Sequence, residues 1–126
     1  MDADVVYDLH TAGEESVPHV YCHKSFAGRA SRMGFSQVIA WEEAGAAFED
    51  VCYLRNQESY TFELRVSRKV TNEAFNFAFE RVLSALDGVS CASESEVVPQ
   101  SALVSLFTPH AGILIWQKAV GERVEA

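Results

Sequence analysis

Several things are scarce in this chain, and each shortage closes a class of explanation. Cysteine is sparse: Cys22, Cys52 and Cys91 are 3 in number, odd and without paired spacing. That is not the framework of a small secreted domain stapled by disulfides. No Asn-x-Ser/Thr acceptor occurs, which agrees with an intracellular protein. Positive charge is short, with 10 Lys and Arg against 18 Asp and Glu and a net charge of −8. General nucleic-acid binding needs a basic face, and an anionic membrane surface repels such a chain. No run approaches the roughly 20 apolar residues of a membrane span. The start, Met1-Asp-Ala-Asp-Val-Val, lacks the basic and apolar regions of a signal peptide. The expectation is a cytoplasmic protein with neither nucleic acid nor membrane as a partner. Gly28-Arg-Ala-Ser-Arg-Met-Gly34 has no Gly-Lys-Ser/Thr and no dinucleotide spacing. No cofactor is expected.

What is present is apolar. Hydrophobic residues make up 48% of 126 residues, enough for one full core. The expectation is a single domain over 1–126, with 1–4 and 121–126 frayed. Charged residues are only 22%, which suggests that a partner or a second copy covers some apolar surface.

The plainest element is Thr71–Gly88. Phe75, Ala78, Phe79, Val82, Leu83 and Leu86 recur at helical spacing and predict one core-facing stripe. Thr71 or Asn72 suits the N-cap, and Gly88 suits the left-handed position after the last turn. Before it, Tyr60–Val66 alternates with period two and predicts a strand with one buried face. Val5–Leu9 reads as a short strand, Thr11–Glu15 as a polar turn, Val17–Phe26 as extended and 27–34 as a loop. Ser36–Asp50 reads as a helix, with Val38, Trp41, Phe48 and Cys52 on one stripe, or as two strands turning at Glu42–Gly45. Val51–Leu54 pairs with Tyr60–Val66 as a hairpin, and Val89–Val97 reads as a weak strand. Ala102–Thr108 and Ile113–Val120 form an apolar hairpin around 109–112.

The order predicts an α+β fold of ferredoxin-like order: a mostly antiparallel sheet with one or two helices on one face. The alternative is an antiparallel meander or sandwich with a single long helix over 71–87.

No constellation matches a catalytic or metal motif. His19, Cys22 and His23 fall short of a zinc ligand set, even with His110 added. Cys52 and Cys91 sit among small or apolar residues, as core cysteines do. The paired acidic residues suit a solvated face. In a ferredoxin-like sheet, the loops holding Arg29, Arg32 and Arg68 would share an edge with two helix N-termini. That edge would bind a phosphate, a carboxylate or an acidic segment. Phe77 and Trp116 lie off the main apolar faces of their elements and suit partner contact. The reading that follows is a non-enzymatic protein-interaction domain: an assembly subunit, an adaptor or an acidic chaperone, self-associating or bound to a protein partner. The alternative is a small-molecule or anion binder, or a small enzyme. It would use the basic edge, with His19, His23 or His110 as its acid–base group.

Overall fold

A computed structural model of the chain describes residues 3–11, 16–64, 71–88, 95–103 and 122. Five strands form one sheet: β1 (Val5–Thr11), β2 (His19–His23), β3 (Gln37–Trp41), β4 (Glu58–Leu64) and β5 (Glu96–Pro99). Three helices accompany them: α1 (Ala27–Ala30), α2 (Phe48–Leu54) and α3 (Asn72–Asp87). The spatial order is β1-β4-β2-β3-β5. Pairing is parallel for β1 with β4, β2 with β3 and β3 with β5, and antiparallel only between β4 and β2.

The sheet is therefore mixed and mostly parallel, which corrects the mostly antiparallel, ferredoxin-like expectation. The physical reason lies in the connections. Residues between β2 and β3 hold a short helix that carries the chain back across the sheet, and such a crossover makes neighbours parallel. Alanines at both buried positions of α1, Ala27 and Ala30, let that short helix sit close on the strands.

The stretch Ser36–Asp50 is neither of the expected forms. Gln37–Trp41 is a strand buried on both faces, so its apolar residues run consecutively instead of alternating. The turn does fall at Glu42–Gly45, but a helix follows it. Val51–Leu54 belongs to α2 and not to a hairpin. Asp50 explains the start of α2: its Oδ2 accepts the Ala47 backbone N–H at 2.9 Å, and Glu49 and Asp50 favour the positive end of the helix. Strand β5 occupies only the end of the expected Val89–Val97 segment. The apolar hairpin at 104–120 lies outside the described residues.

One face of the sheet carries the core. Val20, Cys22, Val38, Ala40, Tyr60 and Phe62 point to it, beneath α1, Met33, Phe35 and α3. The opposite face is met by α2, where the Ser59 hydroxyl donates to the Glu49 carbonyl at 2.9 Å. Helices thus lie on both faces, not one.

Helix α3 has the predicted ends. The Thr71 hydroxyl oxygen accepts from the Ala74 N–H at 3.1 Å, and Gly88 adopts a φ of 66°. Its orientation is not the predicted one. Phe75, Phe79 and Leu86 are 58%, 54% and 63% exposed, while Phe77, Val82 and Ala85 meet the core. The helix is apolar on two sides, and periodicity alone does not choose between them.

Candidate functional site

The alternation of β1 and β4 builds a polar patch on the face opposite the core. With Val5 and Tyr7 packed against the core, Asp8 and His10 point the other way. With Tyr60 and Phe62 in the core, so do Thr61 and Glu63. The parallel register sets Asp8 against Thr61 and His10 against Glu63. On the other side of β4, Tyr21 of β2 is in register with Thr61. His10 and Glu63 each stand one residue short of the carboxyl end of their strands. Open α/β sheets commonly bind ligands beyond such ends.

His10 lies between two carboxylates. Its Nε2 is 3.0 Å from Asp8 Oδ2, and its Nδ1 is 3.5 Å from Glu63 Oε1. Both ring nitrogens of His10 therefore stand beside a carboxylate oxygen, although a neutral imidazole donates from only one of them. The His10 side chain is half exposed, while Glu63 is largely covered. A cleft of about 480 Å³ opens over this trio, bounded by Tyr21, Trp41, Thr61 and the start of α2.

Three buried polar atoms around that cleft have no hydrogen-bond partner among the described residues: Trp41 Nε1, Thr61 Oγ1 and Glu63 Oε2. Buried polar groups are nearly always paired, so unpaired ones call for an explanation. Burial, then the carboxylates of Glu63 and Glu49, holds the Tyr21 phenol above its ordinary pKa. It therefore remains a hydroxyl donor at neutral pH. The cleft combines an imidazole, a carboxylate with a free oxygen, and hydroxyl and indole donors. Those are the components of acid–base catalysis on a polar bond.

The residues singled out from sequence fall elsewhere. Arg29 Nη1 donates to both oxygens of Glu58 at 3.1 Å, and Nη2 donates to the Tyr7 hydroxyl at 3.2 Å. Its charge is engaged inside the fold. Arg32 is exposed, and Arg68 lies outside the described residues. The premise of one shared basic edge is not met. Strands β2 and β4 are antiparallel, so the chain leaves their carboxyl ends at opposite ends of the sheet. Phe77 packs edge-on to Phe35 at 5.8 Å, under the Arg81 guanidinium at 5.0 Å, as part of the core. Trp116, His110 and Cys91 lie outside the described residues.

His19 is bonded through Nδ1 to the Val17 carbonyl at 2.7 Å. His23 is buried, stacked on Tyr53 at 3.9 Å with its Nδ1 2.7 Å from the Ser25 hydroxyl. Cys22 is fully buried on the core face, and burial pushes its thiol up to about 12, away from nucleophilic use. The histidine that lines the cleft is His10, which the sequence pattern did not single out. Its signal was an Asp-x-His at the end of one strand matched by a Thr-x-Glu at the end of another. Among the described residues, no group of three or more His, Cys, Asp or Glu is placed to hold a metal ion. Nor is any described helix long and apolar enough to cross a membrane.

No protein-family model and no curated protein matches the sequence. Solved structures do match the fold. A succinylglutamate desuccinylase/aspartoacylase from Rhodobacter sphaeroides superposes with a TM-score of 0.76 at 21% identity, over 97% of this chain and 43% of its own. A succinylglutamate desuccinylase from Silicibacter sp. TM1040 gives 0.70 at 17%, over 95% and 42%. The ectoine utilization protein EutE (DoeB) of Ruegeria pomeroyi, in its apo form, gives 0.62 at 15%, over 77% and 36%. The chain therefore spans about two fifths of the length of these neighbours and has the fold of that portion. The expectation of a non-enzymatic adaptor or assembly subunit is overturned here, because the desuccinylase/aspartoacylase neighbours are amide hydrolases.

Proposed function

We propose that this chain carries hydrolytic groups of an enzyme that cleaves the amide bond of a small N-acyl amine. One observation carries the reading: the imidazole of His10 between the carboxylates of Asp8 and Glu63, in a cleft lined by unpaired donors, on a fold shared with amide hydrolases.

Amide hydrolysis needs a water oxygen made nucleophilic, a developing oxyanion stabilised and a leaving amine protonated. Glu63 lines the cleft, and its carboxylate is the group assigned to take the water's proton. The water oxygen then bonds to the acyl carbon, and the carbonyl electrons move to its oxygen. Thr61 and Trp41 line the cleft and hold a buried Oγ1 and Nε1 without partners among the described residues, and Tyr21 adds its hydroxyl to the lining. They suit a developing negative charge, as preorganised donors do in hydrolases. The electrons on that oxygen re-form the carbonyl as the C–N bond breaks, His10 delivers a proton to the departing nitrogen, and the proton held by Glu63 passes to His10 across their contact. The products are a carboxylate and an amine. Asp8 acts through His10 by fixing the ring, so it is a positioning residue.

A second reading has support in the acidity of the cleft. A divalent cation would also activate water and polarise the carbonyl. His10, Asp8 and Glu63 are of the residue types that bind one. Since they do not form a ligand set by themselves, no step is assigned to a metal here.

The test is hydrolysis of a panel of N-acetyl and N-succinyl amines by the full chain, its His10→Ala and its Glu63→Gln variants, each with and without added Zn²⁺. The expected loss in kcat is about 10²–10⁴-fold for either variant, the usual contribution of a positioned acid or base. Circular dichroism and the unfolding midpoint should stay near wild type for His10→Ala, because that side chain is 51% exposed. Turnover of no substrate by the wild-type chain, or unchanged turnover in both variants, overturns the reading.

A further inference from the structure

A second pair of chemically matched side chains stands at the end of the sheet opposite His10 and Glu63. His23 closes β2, which runs antiparallel to β4, and the turn Lys24–Phe26 begins directly after it. Ser25 lies in that turn, just beyond the carboxyl end of the strand, where open α/β sheets commonly bind ligands. The two side chains meet, with His23 Nδ1 2.7 Å from Ser25 Oγ. The Ser25 backbone N–H donates to the same Nδ1 at 3.3 Å. A backbone N–H only donates, so this Nδ1 carries no proton and the neutral ring is protonated on Nε2. The hydroxyl is therefore the donor of the 2.7 Å contact. A serine hydroxyl that gives its hydrogen to an unprotonated imidazole nitrogen is the pairing that activates it as a nucleophile.

The imidazole is fixed in that orientation. Its ring stacks on Tyr53 at 3.9 Å and meets Trp41 edge-on at 4.9 Å, and the residue is only 6% exposed. Ser25, by contrast, is exposed. It lines a depression of about 580 Å³ together with Phe26, Tyr53, Leu54 and Asn56. The first three are apolar or aromatic and suit the carbon skeleton of a small substrate, and Asn56 adds a neutral carboxamide. None of these five residues lines the cleft over His10.

We infer that Ser25 is a nucleophile for acyl transfer, with His23 as its base, and that the depression takes a small carboxylic ester. Ser25 Oγ bonds to the ester carbonyl carbon as its proton passes to His23 Nδ1. The carbonyl electrons move to the oxygen and return as the bond to the alcohol oxygen breaks, and the proton on Nδ1 leaves with the alcohol. Water then bonds to the carbon of acyl-Ser25 and gives one proton to Nδ1. That proton returns to Ser25 Oγ as the acyl group leaves as a carboxylic acid. This activity is separate from the amide hydrolysis proposed above and does not rest on it.

The same contacts also cap the turn, which makes reactivity, not stability, the quantity to measure. The full chain, folded and in urea, is treated with a fluorophosphonate probe, and the label is located by peptide mass mapping. Hydrolysis of p-nitrophenyl acetate is followed in parallel. The label is expected on Ser25, at a rate on the order of 10²-fold above that of the unfolded chain, the lower end of what a positioned base contributes. Ser25→Ala should lose both the label and the ester turnover. His23→Gln, with its fold verified by circular dichroism, should label no faster than the unfolded chain. The comparison of folded with unfolded wild type does not depend on that variant folding. No label on Ser25, equal labelling of folded and unfolded chain, or full ester turnover by Ser25→Ala overturns the inference. A folded His23→Gln that labels at the wild-type rate overturns the role of His23.

Discussion

Replacing Glu58 with Ala should unfold this domain well before its normal midpoint, and the structure sets the size of the loss. Glu58 opens β4 and holds three elements together. It accepts a hydrogen bond from the Tyr60 hydroxyl and receives Arg29 through both oxygens. Arg29 in turn donates to the Tyr7 hydroxyl, which donates to the Ala85 carbonyl of α3 at 3.0 Å. Tyr60 is fully buried, so its hydroxyl has no water to turn to once Glu58 is gone. An orphaned buried donor costs about 1–3 kcal/mol. The Arg29–Glu58 ion pair adds less, because its side chains are 39% and 25% exposed and solvent screens them. Pairs of that kind contribute up to about 1 kcal/mol. The expected loss is about 2–3 kcal/mol, or a fall in Tm of about 10 °C for a domain of this size. Urea unfolding followed by circular dichroism measures it. Tyr60→Phe, which removes the donor itself, should cost less than Glu58→Ala. The double variant should show a coupling energy of at least about 0.5 kcal/mol, as contacting groups do. Strictly additive effects would refute the claim that the two side chains act as one unit.

Cys22 and Gly45 offer two further tests. Cys22 has its thiol raised from 9.0 to about 12 by burial and then by Glu58. A raised folded value means that this contribution to stability is complete below pH 9 and lost as pH climbs towards 12. The full effect is about 4 kcal/mol, so wild type should lose urea resistance across that window and Cys22→Ala should lose less. A Cβ at Gly45 would stand 3.0 Å from Asp50 Oδ2, the oxygen that anchors the start of α2. Gly45→Ala should therefore cost about 1 kcal/mol, the usual worth of a helix cap. An unfolding midpoint equal to wild type would show that the Asp50 side chain swings aside freely.

How much of this was legible in the sequence differs from element to element. Helix α3 was readable because its cap, its period and Gly88 all encode local geometry. Strand β4 was readable because one of its faces is polar and the other is core. Strand β3 was not, because a strand covered on both faces loses its period and imitates a helix stripe. The direction of pairing was not legible either. It depends on which strands meet across the sheet, and β1 finds β4 from far away in the chain. The rotation of α3 was hidden because two of its sides are apolar. The site was missed for a narrower reason. The expected strand stopped at Leu9, so His10 fell into the gap before the polar turn. Glu63 was read as one more water-facing residue of its strand. Neither residue is informative until β1 is laid beside β4.

That dependence has a consequence for how the protein comes to life. Every group of the His10–Glu63 contact is supplied by a parallel pairing that waits until the intervening chain has been laid down. Pairings of such long range close slowly, because the loop must lose its entropy before the contact rewards it. Parity adds a second demand. A slip of one residue between β1 and β4 would turn Asp8 and His10 to the other side of the sheet and bring Tyr7 out of the core. Formation of the contact between His10 and Glu63 during refolding should therefore lag behind helix formation and rise only with correctly aligned molecules. The contact of His10 with Glu63 would serve as the chain's own report that this long-range alignment is right.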